Sequence, residues 1–202
     1  MKFEESLAIA EQVDPVSIET AEVYFCMGVL HTEQKEYSLA LESMTNSLHI
    51  HKQRESAMVA IAEILNNIGL IYFEMKQFDK AQVHHAEALE SLTQELGDDH
   101  VDVAFCWHSL GAVHQELCDQ TEALRCFQHA VSIERTETYL QSLGICLVKM
   151  DDNENAYVCL DEALRMKALD CGNDGDDDIS EIQRHLGIIW TRKKKFEESL
   201  KW

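Results

Sequence analysis

The stretch Leu65-Asn66-Asn67-Ile68-Gly69-Leu70-Ile71-Tyr72, then Phe78-Asp79-Lys80-Ala81, then Ala88, decides the fold. An apolar residue precedes the glycine, and a bulky one lies a helical turn earlier. Small residues follow at Ala81 and Ala88. The arrangement recurs around Gly28, Gly111, Gly144 and Gly187, so the glycine-to-glycine spacings are 41, 42, 33 and 43. Ala40, Ala123, Ala156 and Ser199 take the place of Ala81; Ser47, Ala130 and Ala163 take that of Ala88. Tyr24, Trp107 and Leu140 match Leu65, while Gln183 departs. Glycine inside a helix costs about 1 kcal/mol relative to alanine. Five at matched positions need a packing reason, and two helices packed antiparallel supply one. Glycine in the first helix and the small residue in the second allow their backbones to approach closely.

This pattern resembles the tetratricopeptide repeat, whose unit is a helix A, a short turn and a helix B. The third copy carries Trp107, Leu110, Gly111, Ala123, Phe127 and Ala130. The long spacings are similar to those of kinesin-light-chain-like domains and of the Leu-Gly-Asn-repeat adaptors, and Gly97-Asp98-Asp99-His100-Val101-Asp102-Val103-Ala104 resembles an inter-repeat linker of the former. The resemblance implies an all-α fold, a right-handed superhelical solenoid of antiparallel helix pairs. One array is expected over 1–202, with a partial repeat at 1–14 and repeats at about 16–53, 55–96, 100–133, 136–170 and 178–202, the last incomplete. Within the last repeat the spacing predicts one helix over 178–193 and a second from 196. Lys2-Phe3-Glu4-Glu5-Ser6-Leu7 returns as Lys195-Phe196-Glu197-Glu198-Ser199-Leu200. Neither end reads as a polar cap, which leads us to expect a segment of a longer protein, or ends that self-associate.

Composition agrees. One Pro and eight Gly in 202 residues leave little material for hairpin turns. The formal charge of −20 weighs against nucleic acid and anionic membrane surfaces as partners. No apolar run is long enough to span a bilayer. Seven scattered cysteines without a Cys-x-x-Cys pair read as reduced thiols in a cytoplasmic protein.

Catalysis, cofactors and metals find no support. There is no nucleophile elbow, no phosphate-binding glycine loop and no His-Glu-x-x-His. His49/His51 and His84/His85 read as ordinary helix residues. Asp170 to Glu181 approaches a calcium loop but places Gly172 and Asp177 where a ligand and an apolar residue belong, so it reads as a solvated acidic linker. Arg192-Lys193-Lys194-Lys195 reads as a helix C-terminus meeting its macrodipole.

The resemblance implies a concave groove lined by helix A, where a partner peptide would lie. Its positions carry over to Glu22, Phe25, Val29 and Glu33; to Glu63, Asn66, Leu70, Phe73 and Glu74; to Phe105, His108, Gln115 and Glu116; and to Lys149, Arg184 and Arg192. Asn67 alone matches the peptide-holding asparagine of kinesin-light-chain-type grooves, where Cys26, Ser109, Ser142 and His185 stand in the other repeats. The carboxylate clamp of chaperone-binding repeats lacks its basic residues beside Asn66. The early groove is acidic with apolar pockets, which suits a ligand with apolar anchors and Lys/Arg flanks. The expected function is a scaffold or adaptor for protein–protein interaction. The alternative is a regulatory segment of a larger protein, either a cargo adaptor or an enzyme-linked repeat domain.

Overall fold

A computed structural model of the chain describes residues 2–54, 58–170 and 176–199. Among the described residues there is no strand, and ten helices follow one another: α1 (Lys2–Val13), α2 (Ile18–Glu33), α3 (Tyr37–Gln53), α4 (Met58–Glu74), α5 (Phe78–Leu96), α6 (Val101–Glu116), α7 (Gln120–Ile133), α8 (Glu137–Lys149), α9 (Asn153–Asp170) and α10 (Asp176–Ser199). They fall into two compact units, Met1–Val113 and His114–Trp202.

In the first unit α2 packs on α3, α3 on α4 and α4 on α5, while α1 packs on α2. Three-residue connections between α2 and α3 and between α4 and α5 make these pairs antiparallel. Ala40, Met44, Ile64, Ile68 and Ile71 form one core cluster, with Phe25, Val29, Leu48 and Tyr72 packed against it. In the second unit α7 packs on α8, α8 on α9, and α9 and α8 on α10. Phe127, Leu140, Leu160 and Ile182 are fully buried there.

Start signals follow elementary chemistry. Asp14-Pro15 breaks the chain after α1, and Ser17 then caps α2 by accepting from the Thr20 amide at 3.1 Å. Asp119 and Thr136 cap α7 and α8 through the amides of Glu122 and Tyr139.

The turns between paired helices are less expected. Lys35, Lys76, Cys118 and Asp151 all adopt a left-handed backbone, with φ of 61°, 59°, 61° and 62°. Each lies seven residues after its repeat glycine. The next residue's amide reaches back to a carbonyl five residues earlier, as Gln77 does to Tyr72 at 2.9 Å and Asp152 to Leu147 at 3.0 Å. This is the Schellman closure usually given to glycine.

Two sequence expectations need correction. Over Gly28, Gly69 and Gly144 the residue is the large one sixteen positions on, not the small one at twelve. A Cβ on Gly28 would meet Met44 at 2.8 Å, on Gly69 the His85 ring at 2.7 Å, and on Gly144 Leu160 at 2.6 Å. The alanines at the twelfth position are themselves fully buried. The missing side chain therefore admits a big partner instead of matching a small one. The second correction concerns the end of the chain. Residues 178–193 and 196–199 do not form a pair with a turn; they belong to one helix, α10, which runs straight through Lys194. Thr191 to Glu198 holds no Gly, Pro or Asn to stop it. The basic run consequently lies inside a helix and not at its end. Of the acidic stretch weighed for calcium, residues 171–175 lie outside the described residues, Cys171 among them, and residues 176–181 open α10.

Candidate peptide-binding surface

In the first unit a cleft of about 340 Å³ opens between α4 and α6 over Leu92 of α5. Val59, Glu63, Asn66 and Asn67 come from α4, where spacings of three and four residues put them on one face. Asp102, Phe105 and Cys106 come from α6 in the same way. Phe105 is 41% exposed, unusual for a large aromatic ring and suited to an anchor. The lining holds two carboxylates and no Lys or Arg.

Below the cleft, the ring of His85 is wholly buried against Gly69. Its Nδ1–H donates to Asn66 Oδ1 at 2.5 Å, so Nε2 carries the lone pair and finds no hydrogen-bond partner among the described residues. Burial, then neighbouring His84, lowers the His85 pKa to about 4 and keeps the ring neutral. With Oδ1 occupied, the amide N–H groups of Asn66 are its remaining donors. Asn67 does the converse: its amide nitrogen donates to the Glu63 carbonyl at 2.9 Å, which leaves Oδ1 as an acceptor. Burial also holds His108 down to about 4.

Around this cleft the other expected residues separate by burial. Glu22, Glu33, Glu74 and Glu116 are exposed. Phe25 and Val29 pack on the core cluster. Leu70 and Phe73 are half-buried, Phe73 lying edge-on to Phe78, and Tyr37 donates its hydroxyl to Glu74 at 3.5 Å. Val59, Asp102 and His85 were not foreseen. Val59 and Asp102 continue the same helical stripes one turn towards the N-terminus, and His85 is the one polar residue at the sixteenth position after a repeat glycine.

The second unit has its own cleft of about 560 Å³, lined by Gln115, by Gln141 and Lys149 of α8 and by Glu181 and Arg184 of α10. Its charges offset one another. Arg184 donates to Glu181 at 3.3 Å and Gln141 to the same carboxylate at 3.1 Å. Arg192 is not part of this cleft. Its guanidinium donates to the Val148 carbonyl at 2.8 Å and to Asn153 at 3.2 Å, and pairs with Asp151 at 2.9 Å. It thus caps the C-terminus of α8 and not that of its own helix.

Among the described residues no group of three or more His, Cys, Asp or Glu side chains could hold a metal ion. Burial pushes the Cys106 thiol up to about 12 and Cys126 to about 11, as for inert core residues. Among the described residues no helix is long and apolar enough to cross a membrane.

Comparison with known proteins agrees with this architecture. Residues 60–136 match the family model described as tetratricopeptide repeat. The human cell division cycle protein 16 homolog is 24% identical over 172 residues, covering 83% of this chain and 25% of that protein. The BBSome complex member BBS4 homolog of Drosophila melanogaster is 29% identical over 122 residues, covering 59% and 23%. The chain thus spans about a quarter of the length of these relatives. Among solved structures, BtubC (BKLC) from P. vanneervenii superposes with a TM-score of 0.75 at 21% identity, covering 85% of this chain and 73% of that one. MamA superposes at 0.62 and 16% identity, covering 91% and 87%. Residues 60–136 thus match the tetratricopeptide-repeat family, and the described residues have an all-α helix-pair fold like that of these solved structures. Such folds serve typically as non-catalytic scaffolds for protein partners.

Proposed function

We propose that this protein is a protein-interaction scaffold whose first unit binds a partner peptide across α4 and α6. The observation that carries this reading is the cleft at Phe105: an exposed aromatic ring between Glu63 and Asp102, with no cation in the lining. Asn66 offers amide donors and Asn67 an acceptor, the pair of groups that a peptide backbone requires. The preferred ligand has an apolar anchor flanked by Lys or Arg. The second-unit cleft, with its charges internally offset, is the weaker binder. A reducing, cytoplasmic setting suits the free thiols. A second reading, a regulatory repeat segment of a larger protein, is favoured by the small share of its relatives that the chain spans.

A peptide array of apolar-anchored sequences with basic or acidic flanks tests the main reading. Basic-flanked peptides should be retained, and Glu63→Lys or Phe105→Ala should weaken them about tenfold, the scale of a single anchor or charge pair, without changing the melting temperature by more than a few degrees. Equal retention of both peptide classes would refute it.

A further inference from the structure

His85 occupies a place in its repeat that is apolar in the others. Sixteen positions after the repeat glycine stand Met44 in the first repeat, Phe127 in the third and Leu160 in the fourth, all fully buried. Packing here is served by a large apolar side chain. His85 brings instead a polar ring whose Nε2 has no hydrogen-bond partner among the described residues. A polar atom buried without a partner costs free energy, so packing alone does not account for an imidazole. Gly69 admits the ring, since a Cβ there would stand 2.7 Å from it. On its other side Nδ1–H donates to Asn66 Oδ1, and Asn66, itself buried, lines the α4/α6 cleft. Three residues before the glycine the other repeats carry Phe25, His108, Gln141 and Arg184, so this pairing belongs to the second repeat.

The donors and acceptors of the cleft give the pairing a consequence. Glu63 and Asp102 present carboxylates. Asn67 has committed its amide nitrogen to the Glu63 carbonyl and keeps Oδ1 as an acceptor. Val59, Leu92 and Phe105 offer neither kind of group, and the Cys106 thiol is fully buried and a weak donor. The N–H groups of Asn66 are therefore the strong side-chain donors of the lining. Turning a primary amide over changes its shape little and exchanges N–H for C=O. Turned that way, Asn66 would complete a wall of acceptors, suited to ammonium and guanidinium groups and to no carbonyl. The Nδ1–H of His85 opposes this, because in the Asn66 amide only Oδ1 accepts from it. The other histidine tautomer would bury an N–H at Nε2 with nothing to receive it, the rarer defect in folded proteins.

We propose that His85 is a positioning residue of the α4/α6 cleft: it holds Asn66 Oδ1 inward, aims the Asn66 N–H groups at the ligand, and so selects a peptide carbonyl at this point. The inference rests on the reading of this cleft as a peptide site. The carboxylates then receive the Lys or Arg flanks of the peptide, and Asn66 receives its backbone. His85 touches no ligand and acts through Asn66.

Two measurements on the 202-residue chain test it. Heteronuclear NMR of the ring nitrogens, without peptide, should show His85 as the Nδ1–H tautomer at neutral pH. The Nε2–H tautomer would overturn the inference whatever the cleft binds. Fluorescence anisotropy then follows a short labelled peptide with one central Leu between Lys residues. His85→Met takes the residue that stands over Gly28; it should melt within a few degrees of the parent chain yet bind about tenfold more weakly, the scale of one hydrogen bond. His85→Asn keeps an N–H where Nδ1–H lies; it should be less stable than the parent but bind within about threefold of it. A side chain that serves packing alone would give the opposite order of binding. In an Asn66→Ala background, His85→Met should change affinity by less than about twofold, because its effect passes through Asn66. No binding by the parent chain would overturn the peptide reading and this inference together. Binding that His85→Met leaves unchanged, or weakens as much without Asn66 as with it, would overturn this inference alone.

Discussion

Gly69 and Gly187 hold the same place in their repeats, yet Gly69 is buried under the His85 ring and Gly187 is open to solvent. Seven residues further on, Lys76 takes a left-handed backbone and reverses the chain, whereas Lys194 stays helical. Four residues before the glycine, Leu65 is buried in the core and Gln183 is exposed. A repeat glycine and a turn lysine do not by themselves bend the chain. At Gly28, Gly69 and Gly144, where the chain does reverse, a second helix presents a large residue at the sixteenth position, and that packing offsets a left-handed residue's cost of roughly 1–2 kcal/mol.

The comparison can be broken most forcefully at His85. His85→Ala should lower stability in denaturant melts by about 3 kcal/mol, because it empties a buried ring site and leaves Asn66 without its partner. The same residue gives a signature in pH. His85 and His108 are each held at about 4 against an unfolded value of 6.5, so the unfolded chain takes up protons first. Their contribution is complete above about pH 6.5 and lost as pH falls towards 4. His85→Phe, which keeps the volume, should remove about half of that slope in melts taken across the window.

Next come the two glycines. Gly69→Ala should cost about 1–3 kcal/mol by crowding the His85 ring, while Gly187→Ala should gain about 0.5–1 kcal/mol from helix propensity alone. Equal effects in chemical melts would show that Gly69 plays no special packing role. The smallest pair is at the turn position. Lys76→Gly should stabilise by about 0.5–1 kcal/mol by relieving the left-handed residue, and Lys194→Gly should destabilise by about 1 kcal/mol as a glycine placed inside a helix. Shifts of the same sign would erase the distinction between the two regions.

The helix pairs were legible because a glycine inside a helix is costly and therefore informative when it repeats. The turns were not, since Lys35, Lys76 and Cys118 have no local preference for the conformation they adopt; spacing located them where turn chemistry could not. The last pair was misread for the same reason: the echo of Lys2–Leu7 marks where a helix B would begin, but nothing at Lys194 stops helix A. In the candidate site, Glu63, Asn66 and Phe105 were legible from their offsets to the glycine. His85 was not, because its role depends on a buried hydrogen bond across two helices. Arg192 was assigned to the groove by offset, yet the carbonyl ends of α8 draw it elsewhere.

The four left-handed turns also order events in time. A turn that its own residues disfavour closes only once both helices are present to dock, so helix formation precedes reversal of the chain. As the polypeptide leaves the ribosome, each helix A can grow straight through its turn position, as α10 does at Lys194, until its helix B has been made.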